Sequence, residues 1–308
     1  MQTILGANGI IGEELAKELF LNYTKEIKIV GRNPVKVNKT DKIFKADLLD
    51  PQKTKDAVKG SEIVFLTVGL PYSSKIFLQN WPIILKNTIA ACAHYNAKLV
   101  YFDNTYMYNQ GRKIQDEKSP FKPSGKKGIA KERAAKILLD AIQKKEVIAS
   151  ICRAPEFYGP GKTKGITNTL IFENIKKNKK LKVLLRDDKK RTLIYTPDAS
   201  RAMALIGNSK DTFGQTWHLP CDDNRLTYKE FIELTSELYG QDLKYSVLPK
   251  SLLKMVSLFN PVMKETKELF PRYEVDNIFK SDKFKARFPG FKVTPYKEGI
   301  SNILNEIK

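Results

Sequence analysis

The sequence is poor in the residues that bind metal ions or form disulfide bonds, with two histidines and three cysteines in 308 residues. His94 and His218 stand far apart, and no Cys-x-x-C pair occurs. A zinc site and a disulfide framework are therefore both unexpected. Widely spaced cysteines instead favour reduced thiols, so we expect a cytoplasmic protein without a bound metal.

Long hydrophobic runs are also missing. The longest, from Ile63 to Leu70, is much shorter than the roughly 20 residues that cross a bilayer. The N-terminal residues read as a strand and not as a signal peptide, so export is not expected. The segment Leu252–Met263 is amphipathic, as in helices that lie on membranes, but its flanks are short and Pro261 interrupts it. We expect this segment to pack against the rest of the chain, and we expect no membrane contact.

Acidic residues are fewer than basic ones: the chain has 54 Lys and Arg residues and 34 Asp and Glu residues, which gives a net charge of +20. Such a charge suits a polyanionic partner, since Lys and Arg neutralise phosphates. Only ten of the basic residues are arginines, however, and the lysines are spread along the whole chain without an arginine-rich block. This distribution predicts a solvated lysine surface and no nucleic-acid binding.

Strand-like and helix-like segments alternate up to about residue 155, which is typical of a doubly wound parallel sheet. The predicted strands are Gln2–Leu5, Ile27–Val30, Ile43–Ala46, Ile63–Thr67, Lys98–Phe102 and Val147–Cys152. The predicted helices are Ile10–Asn22, Pro51–Lys59, Ser74–Tyr95 and Lys126–Lys145. The third contains Pro82, so its first part is expected to form a separate turn or to be kinked. Later segments predict a helix near Asn168–Lys177, a strand or hairpin through Leu181–Leu185 and Arg191–Tyr195, and a helix at Pro197–Ile206.

We therefore predict an α/β fold with a Rossmann-type doubly wound parallel sheet and a smaller C-terminal substrate lobe. The dinucleotide-binding domain would comprise residues 1–165, with residues 191–220 returning to it. Residues 166–190 and 221–308 would form the substrate-binding lobe.

Three glycines spaced G-x-x-G-x-x-G follow the first predicted strand and precede a helical pattern. Glycines let the backbone turn sharply and approach a pyrophosphate, while the helix N-terminus offers unpaired N–H donors to that anion. The position of the motif between a strand and a helix predicts a dinucleotide site. We assign to this site the residues Gly6, Asn8, Gly9, Ile10, Ile11 and Gly12.

Arg32 follows the second predicted strand, twenty residues after Gly12. Enzymes that use NAD usually place a carboxylate here for the ribose 2′-hydroxyl, whereas an arginine pairs with the 2′-phosphate of NADP. No Asp or Glu lies between Ile27 and Val37. The sequence thus favours NADP as cofactor over NAD.

Two further stretches complete the cofactor half: Asp47-Leu48 after the third predicted strand, and the small residues Thr67, Val68 and Gly69 after the fourth. Together with the glycine motif they resemble the extended and atypical members of the short-chain dehydrogenase/reductase superfamily, the relatives of NAD-dependent epimerase/dehydratases. The resemblance implies that Asp47 and Leu48 lie beside the adenine and that the second stretch passes close to the dinucleotide.

The resemblance continues downstream. Residues 153–161 are similar to the family segment that crosses the nicotinamide and enters the substrate lobe, which implies that Pro155 and Phe157 border the cofactor pocket. Many relatives pair through the helices beside the fourth and fifth strands, so a homodimer is a further expectation.

The catalytic half departs from the family pattern. The fifth strand usually runs into a Ser-Ser-x-x-Val-Tyr-Gly-like stretch, and here Asp103-Asn104 replaces the serines. In the family motif Tyr-x-x-x-Lys the lysine lowers the tyrosine pKa so that the tyrosine can transfer a proton. Lys131 stands at the lysine position, but Lys127 occupies the tyrosine position. The apolar spacing from Lys131 through Ala134, Ala135, Leu138 and Ile142 places Lys131 at the head of the apolar face of its helix. We therefore also assign Lys131 to the cofactor site, where it would reach the ribose or the nicotinamide region. The catalytic candidates that remain are Lys131, Tyr106, Tyr108, Thr105 and Asn104.

Two functions follow from the resemblance. One is an NADP-dependent oxidoreductase or epimerase/dehydratase-like enzyme that acts on a small carbonyl or hydroxyl substrate. The proton would then be carried by Tyr106, by Tyr108, or by Lys131 itself, as a lysine does in the isoflavone-reductase-like members. The other is a protein that binds NADP as a redox sensor without turnover, like the NmrA-like regulators.

Overall fold

The computed structural model describes residues 1–111 and 114–307. The strands are β1 (Gln2–Leu5), β2 (Ile27–Gly31), β3 (Lys42–Lys45), β4 (Ile63–Leu66), β5 (Lys98–Asp103), β6 (Ile114–Gln115), β7 (Ala149–Arg153), β8 (Glu156–Tyr158), β9 (Leu181–Leu184), β10 (Leu193–Tyr195), β11 (Thr216–His218), β12 (Tyr245–Leu248) and β13 (Ile278–Phe279). The helices are α1 (Ile10–Asn22), α2 (Pro51–Val58), α3 (Ser74–His94), α4 (Lys126–Gln143), α5 (Glu173–Lys176), α6 (Thr196–Gly207), α7 (Tyr228–Tyr239), α8 (Lys250–Phe259), α9 (Pro261–Thr266), α10 (Pro271–Glu274), α11 (Asp282–Arg287) and α12 (Tyr296–Ile307).

The chain divides into two compact units. The first comprises Met1–Met107, Lys126–Ala154 and Ala199–Leu219. It contains a parallel sheet of seven strands in the order β11-β7-β5-β4-β1-β2-β3. The chain leaves β1 toward one edge and returns to β4 on the other side of β1, so the carboxyl ends of β1 and β4 meet at a topological switch point. This arrangement confirms the predicted Rossmann-type α/β fold.

The central strands of this sheet are its most completely buried elements. Every residue of β1 and β4 is buried, as expected for strands that are covered on both faces by helices. α3 runs as one helical element through Pro82, so the predicted separate first turn is wrong. Phe77, Trp81 and Leu85 are buried on both sides of the proline, and this packing stabilises the helix across it.

The second unit comprises the described parts of Tyr108–Gly125, Pro155–Asp198 and Pro220–Lys308. Its strands form parallel pairs, β8 with β10, β9 with β12 and β6 with β13. Of the strand or hairpin predicted for Leu181–Leu185 and Arg191–Tyr195, the strands are present as β9 and β10, but they do not pair with each other as a hairpin. Each pairs with a strand more distant in the sequence, β9 with β12 and β10 with β8.

An aromatic core surrounds Tyr158 in the second unit. The ring centroid of Tyr158 lies 5.4 Å from that of Tyr195, 5.8 Å from Phe231 and 5.5 Å from Tyr296. Gly299 of α12 packs on this cluster, where a Cβ atom would lie 2.5 Å from the Tyr158 hydroxyl. A side chain at position 299 would therefore displace the ring.

The two units differ from the predicted domains at residues 108–125, 155–165 and 191–198, which belong to the second unit. Short strands explain the difference: β6, β8 and β10 lie in these segments and pair only with strands of the second unit. The division of roles into a dinucleotide domain and a substrate lobe stays a prediction.

The segment Leu252–Met263 differs from its expected packing. It forms α8 and α9, and in α8 only Leu253 and Ser257 are buried. Asn260 ends the first helix and caps the second, since its side chain accepts a hydrogen bond from the Met263 N–H at 3.0 Å. Most apolar side chains of the segment are exposed, because α8 contacts the unit along one narrow stripe. No helix within residues 1–111 and 114–307 is long and apolar enough to cross a membrane.

Candidate active site

The loop between β1 and α1 lies at the carboxyl end of β1, beside the end of β4. The Gly6 N–H donates to the Val30 carbonyl at 2.9 Å, and the Thr67 N–H donates to the Leu5 carbonyl at 2.9 Å. These two bonds extend the sheet by one residue beyond β1 and β4. The glycine motif and the stretch Thr67–Gly69 are therefore brought to the same sheet edge.

The three glycines of the motif have different surroundings. Gly6 has φ +95°, and a Cβ atom there would lie 2.6 Å from Val68 Cα. A Cβ atom at Gly12 would lie 2.5 Å from Ala7 Cα and 2.8 Å from Thr67 Oγ1. At Gly9 the nearest atom would be 3.8 Å away. Gly6 and Gly12 are thus required by the fold, whereas Gly9 leaves the backbone open to approach from outside.

α1 begins at this open glycine. Gly9 is its N-cap residue, and no side chain caps the helix. The first intrahelical bond of the turn runs from the Glu13 N–H to the Gly9 carbonyl at 2.9 Å. The amides of Ile10, Ile11 and Gly12 therefore have no acceptor within the helix, which is the arrangement that binds phosphate groups.

Arg32 is exposed in the turn that follows β2. The Asn8 side-chain amide donates to the Asn33 carbonyl at 2.5 Å, so this turn is fixed to the glycine loop. The next carboxylate along the chain, Asp41, is buried and accepts hydrogen bonds from the backbone N–H groups of Val37 and Asn38 at 3.0 and 2.7 Å. The carboxylate of Asp41 is therefore already hydrogen-bonded within its own loop. Arg32 is the exposed charged residue directly after β2.

The remaining residues assigned to the cofactor lie along the same edge. Asp47 is exposed, and its carboxylate accepts the Leu49 N–H at 3.1 Å in a turn that the side chain itself closes. Leu48 is buried beneath it. Thr67 Oγ1 donates to the Leu5 carbonyl at 3.2 Å, Val68 is half-buried, and Gly69 is exposed with open space around its Cα.

Lys131 lies inside the first unit, in a buried ion pair. Its ammonium nitrogen is 2.7 Å from Asp103 Oδ1 and donates a hydrogen bond to the Tyr101 hydroxyl. The same nitrogen lies 3.8 Å from the ring centroid of Trp81. As predicted, Lys131 stands on the apolar face of α4, with Ala134 among the fully buried residues that follow it. The ammonium group is enclosed instead of reaching past the edge of the core.

Asp103 also faces a second cation, because Arg153 Nε lies 3.4 Å from its Oδ2. Asp103 and Arg153 are register partners at the ends of the neighbouring strands β5 and β7. Burial lowers the pKa of Lys131, and the attraction of Asp103 does not fully offset this effect. Burial, followed by the charge of Asp103, raises the pKa of Tyr101 well above its ordinary value. Tyr101 therefore stays a neutral phenol.

The residue at the family tyrosine position is also enclosed. Lys127 is fully buried, and its ammonium nitrogen lies 4.4 Å from the ring centroid of Tyr72. Aromatic faces attract cations, so Tyr72 stabilises the charge at this position. The position that the sequence pattern predicts for the family tyrosine thus holds an enclosed lysine.

The stretch that follows β5 holds the other catalytic candidates. Asn104 Oδ1 accepts the Tyr106 N–H at 2.9 Å, and Thr105 is buried. Tyr108 is fully buried in the second unit, with its ring centroid 6.0 Å from that of Phe121. Tyr106 is half-buried. Of the two candidate tyrosines, only Tyr106 keeps part of its side chain accessible.

The residues after β7 belong to the second unit, where Pro155 is buried and Phe157 is half-buried. Between them, Glu156 forms a buried charge cluster that sequence reasoning missed. Its Oε2 lies 3.0 Å from Arg191 Nη2 and 3.6 Å from Arg272 Nη2. Burial alone raises the pKa of Glu156, but the two arginines outweigh it and the pKa lies below its ordinary value of 4.5.

Tyrosines complete this cluster. The hydroxyl of Tyr273 donates to Glu156 Oε2 at 3.0 Å, and that of Tyr228 donates to Oε1 at 3.1 Å. Glu156 therefore stays ionised and fully hydrogen-bonded. In the sequence Glu156 is an acidic residue shortly after the apolar strand β7, and Asp103 is likewise an acidic residue at the end of the apolar strand β5.

Among residues 1–111 and 114–307, no three His, Cys, Asp or Glu side chains come together in a way that would hold a metal ion. The three cysteines are buried free thiols. Burial raises the pKa of Cys92 to about 12, so this thiol is not a nucleophile.

Comparisons with known proteins agree with this fold. Against solved structures, the chain is similar to UDP-glucuronic acid 4-epimerase from Bacillus cereus in complex with NAD, with a TM-score of 0.81, 14% identity, and 100% of this chain and 98% of that chain covered. It is also similar to UDP-glucose 4-epimerase from Thermus thermophilus in complex with NAD, with a TM-score of 0.78, 17% identity, and 100% and 99% coverage.

A third structure is a double mutant of dTDP-glucose 4,6-dehydratase from Streptomyces venezuelae with NAD bound, with a TM-score of 0.79, 13% identity, and 99% and 96% coverage. A sequence comparison with curated proteins finds no match. The sequence itself matches the NAD dependent epimerase/dehydratase family over residues 3–218, which is more than half of the chain. The chain belongs to the NAD dependent epimerase/dehydratase family.

Proposed function

We propose that this protein is an enzyme of the epimerase/dehydratase type and that it binds a nicotinamide dinucleotide at the carboxyl edge of β1 and β4. The observation that carries the proposal is the loop from Gly6 to Gly12. Two of its glycines are held by contacts within the fold, and the third leaves the uncapped start of α1 open to an anion. A diphosphate at this place would accept hydrogen bonds from the backbone N–H groups that have no acceptor within the helix.

NADP is the cofactor we propose, because Arg32 stands on the turn that the Asn8–Asn33 hydrogen bond fixes to the loop. A guanidinium group pairs with a phosphate through two parallel hydrogen bonds. NAD is the second candidate, since the three similar structures named above contain it. When bound, the nicotinamide supplies hydride exchange with a carbon of the substrate.

Within this proposal, Tyr106 carries the proton. In the reducing direction its hydroxyl donates a proton to the substrate carbonyl oxygen and regains one from water. Lys131 is a positioning residue, because its ion pair with Asp103 fixes the end of β5, from which the stretch with Tyr106 continues. Lys131 itself has no exposed donor to offer, since its side chain is 2% exposed.

A second function, NADP binding without turnover, is favoured by one observation. The tyrosine position holds the buried Lys127, so the usual proton donor of the family is missing. A redox sensor needs the dinucleotide loop but no proton donor. The two proposals share the cofactor and differ only in chemistry.

Binding and turnover measurements separate them. Titration calorimetry with NADP, NADPH, NAD and NADH tests the cofactor site. Loaded protein is then mixed with UDP-glucose, UDP-glucuronic acid, dTDP-glucose and a panel of small carbonyl compounds, while nicotinamide absorbance and product are followed. Hydride transfer or a new product with any of these substrates supports the enzyme. Tight binding with no change across the panel supports the sensor, and no heat with any pyridine nucleotide overturns both.

A further inference from the structure

The surface formed by α8 and α9 carries large apolar side chains that are partly or mostly exposed. We call this surface the α8–α9 tip. It consists of Leu252 (36% exposed), Met255 (56%), Val256 (36%), Leu258 (75%), Phe259 (86%) and Val262 (63%).

α8 has two apolar stripes, and only one of them serves the fold. Leu253 and Ser257, four residues apart, are buried in the second unit. Positions 252, 255, 256 and 259 follow the i, i+3, i+4, i+7 spacing and so form a second stripe on an adjacent face. A second stripe of large side chains adds nothing to folding when it is exposed. Its composition therefore points to contact with something outside the chain.

Phe259 and Leu258 are the most exposed residues of the tip, and they stand where the chain turns from α8 into α9. The hydrogen bond from the Met263 N–H to Asn260 Oδ1 starts α9 directly after them. The two large side chains are thus presented at a corner between two short helices and not on a flat face. Large apolar side chains at a protruding corner insert into the interfacial region of a bilayer more readily than they pack against a flat protein surface.

The charged residues near the α8–α9 tip indicate which kind of partner it contacts. Between Lys244 and Lys264 the chain contains four lysines and no Asp or Glu. Lys244 is paired with Asp242 and Lys250 with Glu274, and Glu265 follows directly after this segment. Lys254 and Lys264 are exposed beside the apolar residues. Apolar side chains flanked by lysines fit the surface of a bilayer that contains anionic lipids.

A second copy of the chain fits the tip less well. A symmetric contact would bring together two patches that each carry Lys254 and Lys264. Each copy carries a net charge of +20, and like charges oppose such a contact. An anionic bilayer offers acyl chains to the apolar side chains of the tip and negative headgroups to its lysines.

We propose that the α8–α9 tip docks the protein on anionic phospholipid bilayers, with Phe259 and Leu258 in the interfacial region and Lys254 and Lys264 facing the headgroups. This proposal replaces the expectation from the sequence of no membrane contact. It does not depend on the proposed enzyme activity.

Sedimentation of the full chain with large vesicles tests the proposal. The vesicles are phosphatidylcholine alone or phosphatidylcholine with about one quarter phosphatidylglycerol. Wild-type protein is expected to bind the anionic vesicles. Leu258→Ser/Phe259→Ser is expected to lower the partition coefficient by about tenfold or more, because two large apolar side chains are lost. Lys254→Glu/Lys264→Glu is expected to weaken binding to anionic vesicles by about tenfold.

Matched variants away from the tip control for nonspecific binding through exposed apolar side chains and for net charge. Leu21→Ser/Val35→Ser removes two apolar side chains that are 70% and 69% exposed, and Lys86→Glu/Lys144→Glu reverses two exposed lysines of the first unit. Both controls are expected to bind like wild type. Met255→Ser/Val262→Ser offers an independent pair on the tip if the first variant folds poorly, as judged by circular dichroism.

Three results overturn the proposal. One is wild-type protein that stays in solution with anionic vesicles. Another is a loss of binding in the control variants as large as in the tip variants, which would assign binding to overall charge. The third is a dimer, seen by light scattering, that Leu258→Ser/Phe259→Ser dissociates while vesicle binding is unchanged, which would assign the tip to a second copy.

Discussion

Lys131 and Asp103 form an ion pair inside the first unit, with 2.7 Å between Nζ and Oδ1 and side-chain exposures of 2% and 0%. The pair connects α4 to the end of β5. Both charges have lost their water, so each depends on the other for stabilisation. This relationship changes the interpretation of Lys131 from an exposed acid or base to a buried structural charge.

The first prediction concerns this pair. Asp103→Asn is expected to lower the free energy of unfolding by about 3–5 kcal/mol, because Lys131 and Arg153 both lose their counter-charge. Lys131→Met is expected to cost less, since Asp103 keeps Arg153 at 3.4 Å. Urea unfolding of both variants and of Asp103→Asn/Lys131→Met measures the coupling. Strictly additive losses would contradict an interaction between the two residues.

The second prediction concerns the glycine loop. Gly12→Ala is expected to destabilise the fold by about 1–3 kcal/mol, because its Cβ atom would collide with backbone and side-chain atoms. Gly9→Ala is expected to leave most of the stability, since open space surrounds the position, but to weaken dinucleotide binding by at least about tenfold. Thermal unfolding and nucleotide titration of the two variants are the measurements. Unchanged affinity in Gly9→Ala would place the diphosphate elsewhere.

The third prediction concerns cofactor choice. Arg32→Ala is expected to weaken NADPH binding by about tenfold or more while NADH binding changes little, because only NADPH offers a 2′-phosphate to the guanidinium group. Fluorescence titration with both nucleotides measures the two affinities. Lys36→Ala, another exposed cation of the same loop, is the control for general charge. Equal losses for NADPH and NADH would refute the assigned role of Arg32.

The fourth prediction concerns pH. The pKa of Glu156 is lowered in the folded protein from its ordinary value of 4.5, so its stabilising effect is present above pH 4.5 and is lost as pH falls through the folded pKa. Glu156→Gln is expected to cost about 3–5 kcal/mol near neutral pH, because two buried arginines lose their charge partner.

The difference in unfolding free energy between wild type and Glu156→Gln should therefore shrink below pH 4.5. Urea unfolding at several pH values measures it. Glu298→Gln, at an exposed position, should show little difference from wild type across the same range. A constant difference between wild type and Glu156→Gln down to the acid limit would mean that Glu156 is not ionised in the fold.

Much of the first unit could be predicted from the sequence, because its local signals agree with its tertiary structure. The apolar run of β4 and the glycine motif before α1 each fixed an element to within a residue or two of its observed bounds. The alternation of strands and helices predicted a doubly wound parallel sheet, but it did not predict the order of the strands. The pairing of β9 and β10 could not be predicted in this way, since each strand is short and finds a partner far away in the chain.

The candidate site residues could be named from the sequence, but their surroundings could not. The register of Lys131 on α4 was visible from helical spacing, whereas its enclosure depends on Trp81 and Tyr101, which come from two other elements. A pairing of β5 with β7 would have placed Asp103 beside Arg153. No signal in the sequence joined these charges with Lys131. The exposed stripe of α8 was missed because an amphipathic pattern does not say which side is covered.

The last prediction concerns proton transfer. If Tyr106 donates the proton, Tyr106→Phe is expected to lower kcat by about 100-fold to 10,000-fold while cofactor affinity is unchanged, because only the hydroxyl is removed. Tyr108→Phe provides a comparison at a fully buried tyrosine two residues away and should retain most activity. Steady-state kinetics on whichever substrate of the panel is turned over, with nucleotide titration alongside, gives both quantities. An active Tyr106→Phe enzyme would remove this residue from the chemistry and would return the role to another group near the end of β5.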